Sequence, residues 1–286
     1  KVLTFSAGDA WTYAMVEKTD PKLFARVKKF IASGRWSLYG SWWIQPDCNI
    51  PTKSGFEHQI SLGFEYLKSR FGKVSNVGRN VDSFGHTAAL PEILDAAGQP
   101  NYIMMRPDER ELKLPSRIFN WRGFKGSPSV LTFRIASAYC HADPEERSLT
   151  NHILASTKGL PEGVTDTMCF LGIGDHGGGP TKVLVEQCIA LKESIPGVEL
   201  VFSTPERYFE TIRKGDLSKV PEVLGELQFH SIGCYTLQRK LKLMIKSAEN
   251  LLDCAAGELT EADMERSWRS VCFNQFHDIM GGTCIP

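Results

Sequence analysis

The sequence predicts an α/β fold followed by a helical bundle, on three observations. Short apolar runs alternate with amphipathic stretches up to about residue 215. Turn and capping residues punctuate those runs at intervals suited to crossover connections. Beyond residue 215 the apolar positions repeat at helical spacing alone. Strands alternating with helices imply a parallel sheet or barrel with its helices outside. The 286 residues suffice for one large domain or two moderate ones.

The elements follow in order. Val2 to Phe5 is apolar and reads as a strand. Asp20-Pro21 opens a helix, because Asp caps well and Pro suits the first turn. Leu23, Phe24, Val27, Phe30 and Ile31 form its buried stripe, and Gly34 ends it. Trp36 to Ile44 reads as a strand, Gly55 to Ser69 as a helix and Val74 to Gly78 as a strand. Ala88 to Ala97 is a helix stopped by Gly98, and Tyr102 to Met105 a strand. Residues 107 to 145 are less regular, with strand signals at Phe119 to Phe124 and Val130 to Ile135. His152 to Thr157 reads as helix, Thr167 to Leu171 as strand, Thr181 to Lys192 as helix and Val198 to Phe202 as strand. In the tail, Leu237, Leu241, Met244, Ala248 and Leu251 mark one amphipathic helix. Met264, Trp268, Val271 and Cys272 mark a second, opened by Thr260 with Asp263 in a capping-box spacing. The expected division is a domain over 1–215 and a bundle segment over 216–286.

Composition narrows the partners. The chain is 42% hydrophobic and 23% charged, and 33 basic residues balance 33 acidic ones. That balance gives no electrostatic reason to expect nucleic acid or an anionic membrane as partner. No apolar run approaches the roughly 20 residues that span a bilayer. Self-association is left open. The eight cysteines contain no CxxC pair, and several sit in apolar helical patterns, which favours a reducing cytoplasm. Lys1 is not a natural start, so further residues are expected before it.

Four segments could carry chemistry. Asn80 to His86 lies between a predicted strand and a predicted helix, where α/β folds place their sites. Asp82 there serves as nucleophile, base or metal ligand, or it caps the next helix. Phe276-His277-Asp278 pairs an imidazole with a carboxylate, which suits a metal or a mutual orientation, or else a helix-end dipole contact. Gly172 to Gly177 matches GxGxxG literally, but two further glycines and Pro180 postpone the helix, and Asp175 would repel a pyrophosphate. A loop presenting Asp175 and His176 for acid–base work fits better. Trp42 and Trp43 offer aromatic faces to a sugar, or at least one of them is core. Arg106, at another strand end, binds a substrate group or pairs with Asp108 or Glu109.

Taken together, these motifs resemble glycoside hydrolase family 38, the retaining α-mannosidases. The resemblance rests on residues 42–51 (WWIQPDCNIP), 81–86 (VDSFGH), 174–181 (GDHGGGPT) and 274–279 (NQFHDI), in that order along nearly the whole chain. It implies a (β/α)7-type barrel, here lacking its first strand, followed by a helical bundle. It implies that Asp82 is both nucleophile and zinc ligand, that His277 is a second zinc ligand, and that Asp278, Phe84 and Arg106 contact substrate. Asp175 is the expected acid/base, with His176 the alternative. The substrate would be a mannose-containing glycan or oligosaccharide. The His-x-Asp motif that supplies two further zinc ligands in this family is missing before Asp82 and is expected upstream of Lys1. The competing readings are a metal-dependent deacetylase or amidohydrolase, a nicotinamide oxidoreductase and a catalytically incomplete sugar-binding relative.

Overall fold

The computed structural model describes residues 3–174 and 178–283. The chain begins with β1 (Phe5–Ser6), α1 (Ala10–Thr19), α2 (Pro21–Ala32), β2 (Trp36–Ser37) and α3 (Lys53–Phe71). It continues through β3 (Val77–Asn80), α4 (Leu90–Ala96), β4 (Asn101–Met104), β5 (Ile118–Arg122) and β6 (Ser129–Arg134). Next come α5 (Glu146–Ser156), α6 (Lys182–Ala190), α7 (Pro205–Ile212) and β7 (Glu222–Leu224). A 3-10 turn (Ile232–Thr236), α8 (Arg239–Cys254), α9 (Glu261–Asn274) and the short α10 (His277–Gly281) complete it. The class is mixed α/β, as expected.

Capping explains several boundaries. Asp20 accepts the Leu23 N–H at 2.9 Å ahead of Pro21 in α2. Thr52 caps α3 through the Gly55 N–H, and Gly72 ends that helix in the left-handed region. Thr260 accepts the Asp263 N–H at 3.2 Å, and its hydroxyl donates to the Asp263 carboxylate, so the expected capping pair opens α9.

The described strands form two sheets. β1 and β2 pair in parallel. The other sheet has the order β3-β4-β6-β5-β7. β3, β4 and β6 run parallel, as alternation with helices requires. β5 is antiparallel to β6, and β7 is parallel to β5. That hairpin was invisible in the sequence because strand patterning carries burial but no direction.

Other expectations need revision. The strand read over Trp36 to Ile44 is two residues long, and the chain then leaves the sheet through Ser41 at φ 59°. Thr167 to Leu171 and Val198 to Phe202 join no ladder among the described residues. Their apolar side chains pack against Leu149, Leu184 and Cys188, so the hydrophobic pattern reported burial rather than pairing. Three helices were missed: α1, α7 and the short α10. α1 buries only Ala10 and Tyr13, too few to make a stripe. α7 is eight residues long, although Thr204 and Pro205 announce it.

Packing fixes the segment that later reaches the site. Residues 39–49 run against α3, where Gly63 lets the helix touch backbone. A methyl group on Gly63 would sit 2.3 Å from Ser41 O and 2.4 Å from Trp42 C. Below it a buried polar chain ties the tail to this segment. Glu249 of α8 accepts from Gln275 Nε2 at 2.7 Å, Gln275 Oε1 accepts from Gln59 Nε2 at 2.8 Å, and Gln59 Oε1 accepts from Ile44 N at 3.1 Å. Helices α8 and α9 thereby dock on α3 through hydrogen bonds as well as through Trp268 and Cys272.

Gly63→Ala tests this contact, because the two effects have opposite sign. Helix propensity favours alanine by roughly 1 kcal/mol, whereas forced overpacking costs about 1–3 kcal/mol. Backbone on the far side cannot yield, so we expect a net loss of stability in urea unfolding. A more stable variant would show that the helix is not in contact there.

Candidate active site

Asp82 stands two residues past the end of β3, and Arg106 two residues past the end of the neighbouring β4. Parallel pairing with Asn80 opposite Met104 puts both at one end of the sheet. Arg106 Nε donates to Asp82 Oδ1. On the other side His277, the first residue of α10, brings Nε2 to 3.6 Å from Asp82 Oδ2. Tyr139 donates its phenol to Oδ2 over a longer 3.4 Å. Asp82, Arg106 and His277 were sequence candidates, and the fold gathers them around one carboxylate.

Gln45 holds the arrangement in place. Its side-chain oxygen accepts from Val81 N at 2.5 Å, and its backbone carbonyl accepts from His277 Nδ1 at 2.9 Å. That carbonyl fixes the tautomer: Nδ1 carries a proton, and Nε2 faces Asp82. His86 anchors the opposite side. It is buried and pushed down to about 4 by that burial, so it is neutral, with Nε2 against the Arg106 carbonyl at 2.8 Å and Nδ1 near Tyr102 Oη at 3.0 Å.

The electrostatics follow from the contacts. Burial works to raise the Asp82 pKa, but His277 and Arg106 outweigh it and hold the carboxyl below its ordinary range. Burial likewise opposes a charge on His277, yet Asp82, the Gln45 carbonyl and Asp278 raise it above 6.5. Each group therefore favours the charged form of the other, the carboxylate of Asp82 and the imidazolium of His277.

Asp82, His277, Asp278 and Tyr139 line a cleft of about 1390 Å³. Its walls include Leu3 to Ala7, Thr165 to Gly172 and Gly197 to Pro205, so the two strand-like segments without a ladder face it. Gly174, Gly178 and Gly179 also border it, and Gly174 and Gly178 exchange backbone hydrogen bonds at 3.0 and 3.3 Å. Asp175 and His176 lie outside the described residues. Helix α6 begins at Lys182 with Thr181 as its cap, ten residues after Gly172, which removes the helix N-terminus a dinucleotide fingerprint needs.

Phe84 packs beside the cluster, its ring 6.3 Å from that of His277. Trp42 and Trp43 require correction. They are 2% and 3% exposed. Trp42 packs on Phe56 and donates to Gln99 at 2.8 Å, and Trp43 packs on Tyr66 beneath Arg269. Because the backbone here is not a strand, both rings turn inward and neither offers a face to a sugar. Sequence reasoning missed Tyr139, which follows β6, and gave no role to Gln45 within its motif. A search for polar residues just past strand ends would have reached Tyr139.

The family model for the glycosyl hydrolases family 38 N-terminal domain matches residues 2–227. The chain belongs to glycosyl hydrolase family 38. Alpha-mannosidase G of Dictyostelium discoideum is 28% identical over 98% of this chain and 27% of its own length. Human Alpha-mannosidase 2C1 is 26% identical, covering 98% of this chain and 28% of its own. The family 38 chain thus spans about a quarter of these relatives. Among solved structures, an alpha-mannosidase from Enterococcus faecalis V583 superposes with a TM-score of 0.77 at 17% identity, over 98% of this chain and 34% of that one. A 4-alpha-glucanotransferase from Thermococcus litoralis superposes at 0.56 and 13% identity, a likeness of fold alone.

The Asp82–His277 pairing makes a test in the isolated chain. The folded pKa of His277 is raised and that of Asp82 lowered, so the pair's contribution to stability is full between about pH 3.8 and 6.5; it is lost as pH rises through the folded value of His277 and as pH falls through that of Asp82. In Asp82→Asn the burial penalty loses its main opponent, and the His277 titration followed by NMR should move down. An unchanged titration would mean that the two side chains do not pair.

Proposed function

We propose that the protein containing this chain is a retaining α-mannosidase that releases terminal α-linked mannose from glycans or oligosaccharides. The observation that carries this reading is the ionised Asp82 carboxylate at the end of β3, facing a large cleft between Arg106 and His277 in a family 38 chain. The names of the relatives support mannose as the sugar.

In this reading Asp82 attacks the anomeric carbon, forming a carbon–oxygen bond as the glycosidic bond breaks. The departing oxygen takes a proton from the acid/base, Asp175 by preference and His176 as the alternative. The same group then removes a proton from water, whose oxygen displaces Asp82 and restores the carboxylate. Arg106 and His277 keep Asp82 charged and aimed. Asp278 on the cleft wall takes a sugar hydroxyl, and Phe84 and Arg106 shape the pocket around the ring.

Zinc is the proposed cofactor. Asp82 Oδ2 and His277 Nε2 converge from two elements, and the Gln45 carbonyl fixes His277 in the tautomer a ligand needs. Among the described residues no group of three or more His, Cys, Asp or Glu side chains is placed to hold a metal. The donor set therefore fits half a site, with Asp82 and His277 as two ligands and the remainder assigned to residues upstream of Lys1. When bound, the metal would supply a template and Lewis acid for sugar hydroxyls.

The finer architecture belongs to the same proposal: a (β/α)7-type barrel over 1–215 without its first strand, and a segment over 216–286 that adds β7 to the sheet before its helical bundle. The strand-like segments facing the cleft support it, as does the superposition on the E. faecalis α-mannosidase. We further place the protein in a reducing cytoplasm. Support comes from the buried thiols Cys48, Cys188 and Cys272, each with its pKa pushed up by burial.

The absence of a third donor among the described residues favours one second reading, a catalytically incomplete sugar-binding relative. Two experiments decide between them. In the complete protein a fluorinated mannosyl donor should leave a covalent adduct on Asp82, and Asp82→Ala should lose turnover. Near-normal turnover by Asp82→Ala would remove it from the role, and an inert complete protein would favour the second reading. The isolated chain should bind zinc weakly by calorimetry and turn over little substrate, and full activity from it would defeat the half-site assignment.

A further inference from the structure

Arg106 has a second partner that the reaction as described does not use. The chain leaving β7 pairs Leu227 with His86 through reciprocal backbone bonds of 2.7 and 2.9 Å. That pairing carries His230 over the loop that follows β4. His230 Nε2 lies 3.0 Å from Arg106 Nη1, and His230 Nδ1 lies 2.6 Å from Glu111 Oε1. The other oxygen of Glu111 accepts the Asp108 N–H at 3.0 Å, fixing the carboxylate to its own loop. Arginine can only donate, and a carboxylate can only accept. One arrangement satisfies both contacts: His230 donates from Nδ1 to Glu111 and accepts at Nε2 from Arg106. The Ser231 hydroxyl stands 3.1 Å from the same Nε2. The His230 ring also packs against Phe84, with centroids 5.5 Å apart.

The four side chains form a continuous line from Glu111 through His230 and Arg106 to Asp82. Guanidinium Nε is committed to Asp82, and Nη1 is held from behind. Without that hold Arg106, whose side chain is 30% exposed, would be free to turn toward solvent. We infer that His230, oriented by Glu111, is a positioning residue that holds Arg106 against Asp82 and so sets the geometry of the attacking carboxylate. This inference rests on the reading of Asp82 as the nucleophile. His230 does not touch Asp82 and is not among the residues bordering the cleft; it meets Arg106 and Phe84, and it reaches the carboxylate through Arg106.

The test uses the complete protein, with turnover of an aryl α-mannoside and the rate of covalent trapping by a fluorinated mannosyl donor. His230→Phe keeps a ring against Phe84 but removes both nitrogens. Glu111→Ala removes the support behind the imidazole, and Glu111→Gln keeps an acceptor for Nδ1–H. Misplacing a catalytic group by about an ångström costs on the order of 100-fold. We therefore expect kcat and the trapping rate to fall together by roughly 10- to 100-fold in His230→Phe and Glu111→Ala. KM should stay within about threefold of its starting value, since ground-state binding is not the target. Glu111→Gln should recover most of the rate. A structural role alone would lower the amount of folded enzyme without this split and without rescue. Unchanged kcat in folded His230→Phe, or equal loss in Glu111→Gln and Glu111→Ala, would overturn the inference. If His230→Phe does not fold, the Glu111 pair still decides. Asp82→Ala separates the two claims. Retained turnover there defeats the nucleophile itself, whereas loss of turnover there with fully active His230→Phe defeats the positioning role alone.

Discussion

One half-buried carboxylate governs the local structure. An ionised group withdrawn from water is costly unless charges and donors surround it. Asp82 has that surround in Arg106, His277 and Tyr139, which come from three separate parts of the chain. None is near Asp82 in sequence. The sheet supplies the first by parallel register, the segment after β6 supplies the phenol, and α10 supplies the imidazole. Arg106 and His277 hold the carboxyl below its ordinary range, because burial alone would have raised it.

The supporting structure keeps those neighbours in place. Gln45 joins the backbone before Asp82 to the ring of His277. Its own segment lies flat on α3 because Gly63 presents no side chain. The Glu249–Gln275–Gln59 chain then locks α8 and α9 to the same helix, placing α10 and its histidine. A buried amide or carboxylate without its partner would cost about 1–3 kcal/mol, so this network makes the docking of the helical tail specific.

Much of the fold was legible. Asp20, Thr52, Thr181 and Thr260 cap helices as their residue types prescribe. The strands at Tyr102, Phe119 and Val130 appeared within a residue or two of their signals. Apolar runs failed as a guide at Thr167 to Leu171 and Val198 to Phe202, because apolarity selects burial whereas a strand also requires a hydrogen-bonding neighbour. The tryptophans failed for a related reason. Two adjacent aromatic residues point to opposite faces only where the backbone is extended, and after Ser41 it is not.

The sequence by itself determined the chemical groups: a carboxylate past a strand end, an arginine past the next, and a histidine–aspartate pair after a capped helix. Four ordered motifs carry the resemblance to the family. Only the tertiary structure decided which groups meet. It placed His277 on Asp82, put Gln45 between them, hid Trp42 and Trp43, and set His230 behind Arg106. The contacts that build the Asp82 site join residues from 24 to 232 positions apart. Local propensity acts over a few residues and carries no information about such distances; sheet register and helix docking do.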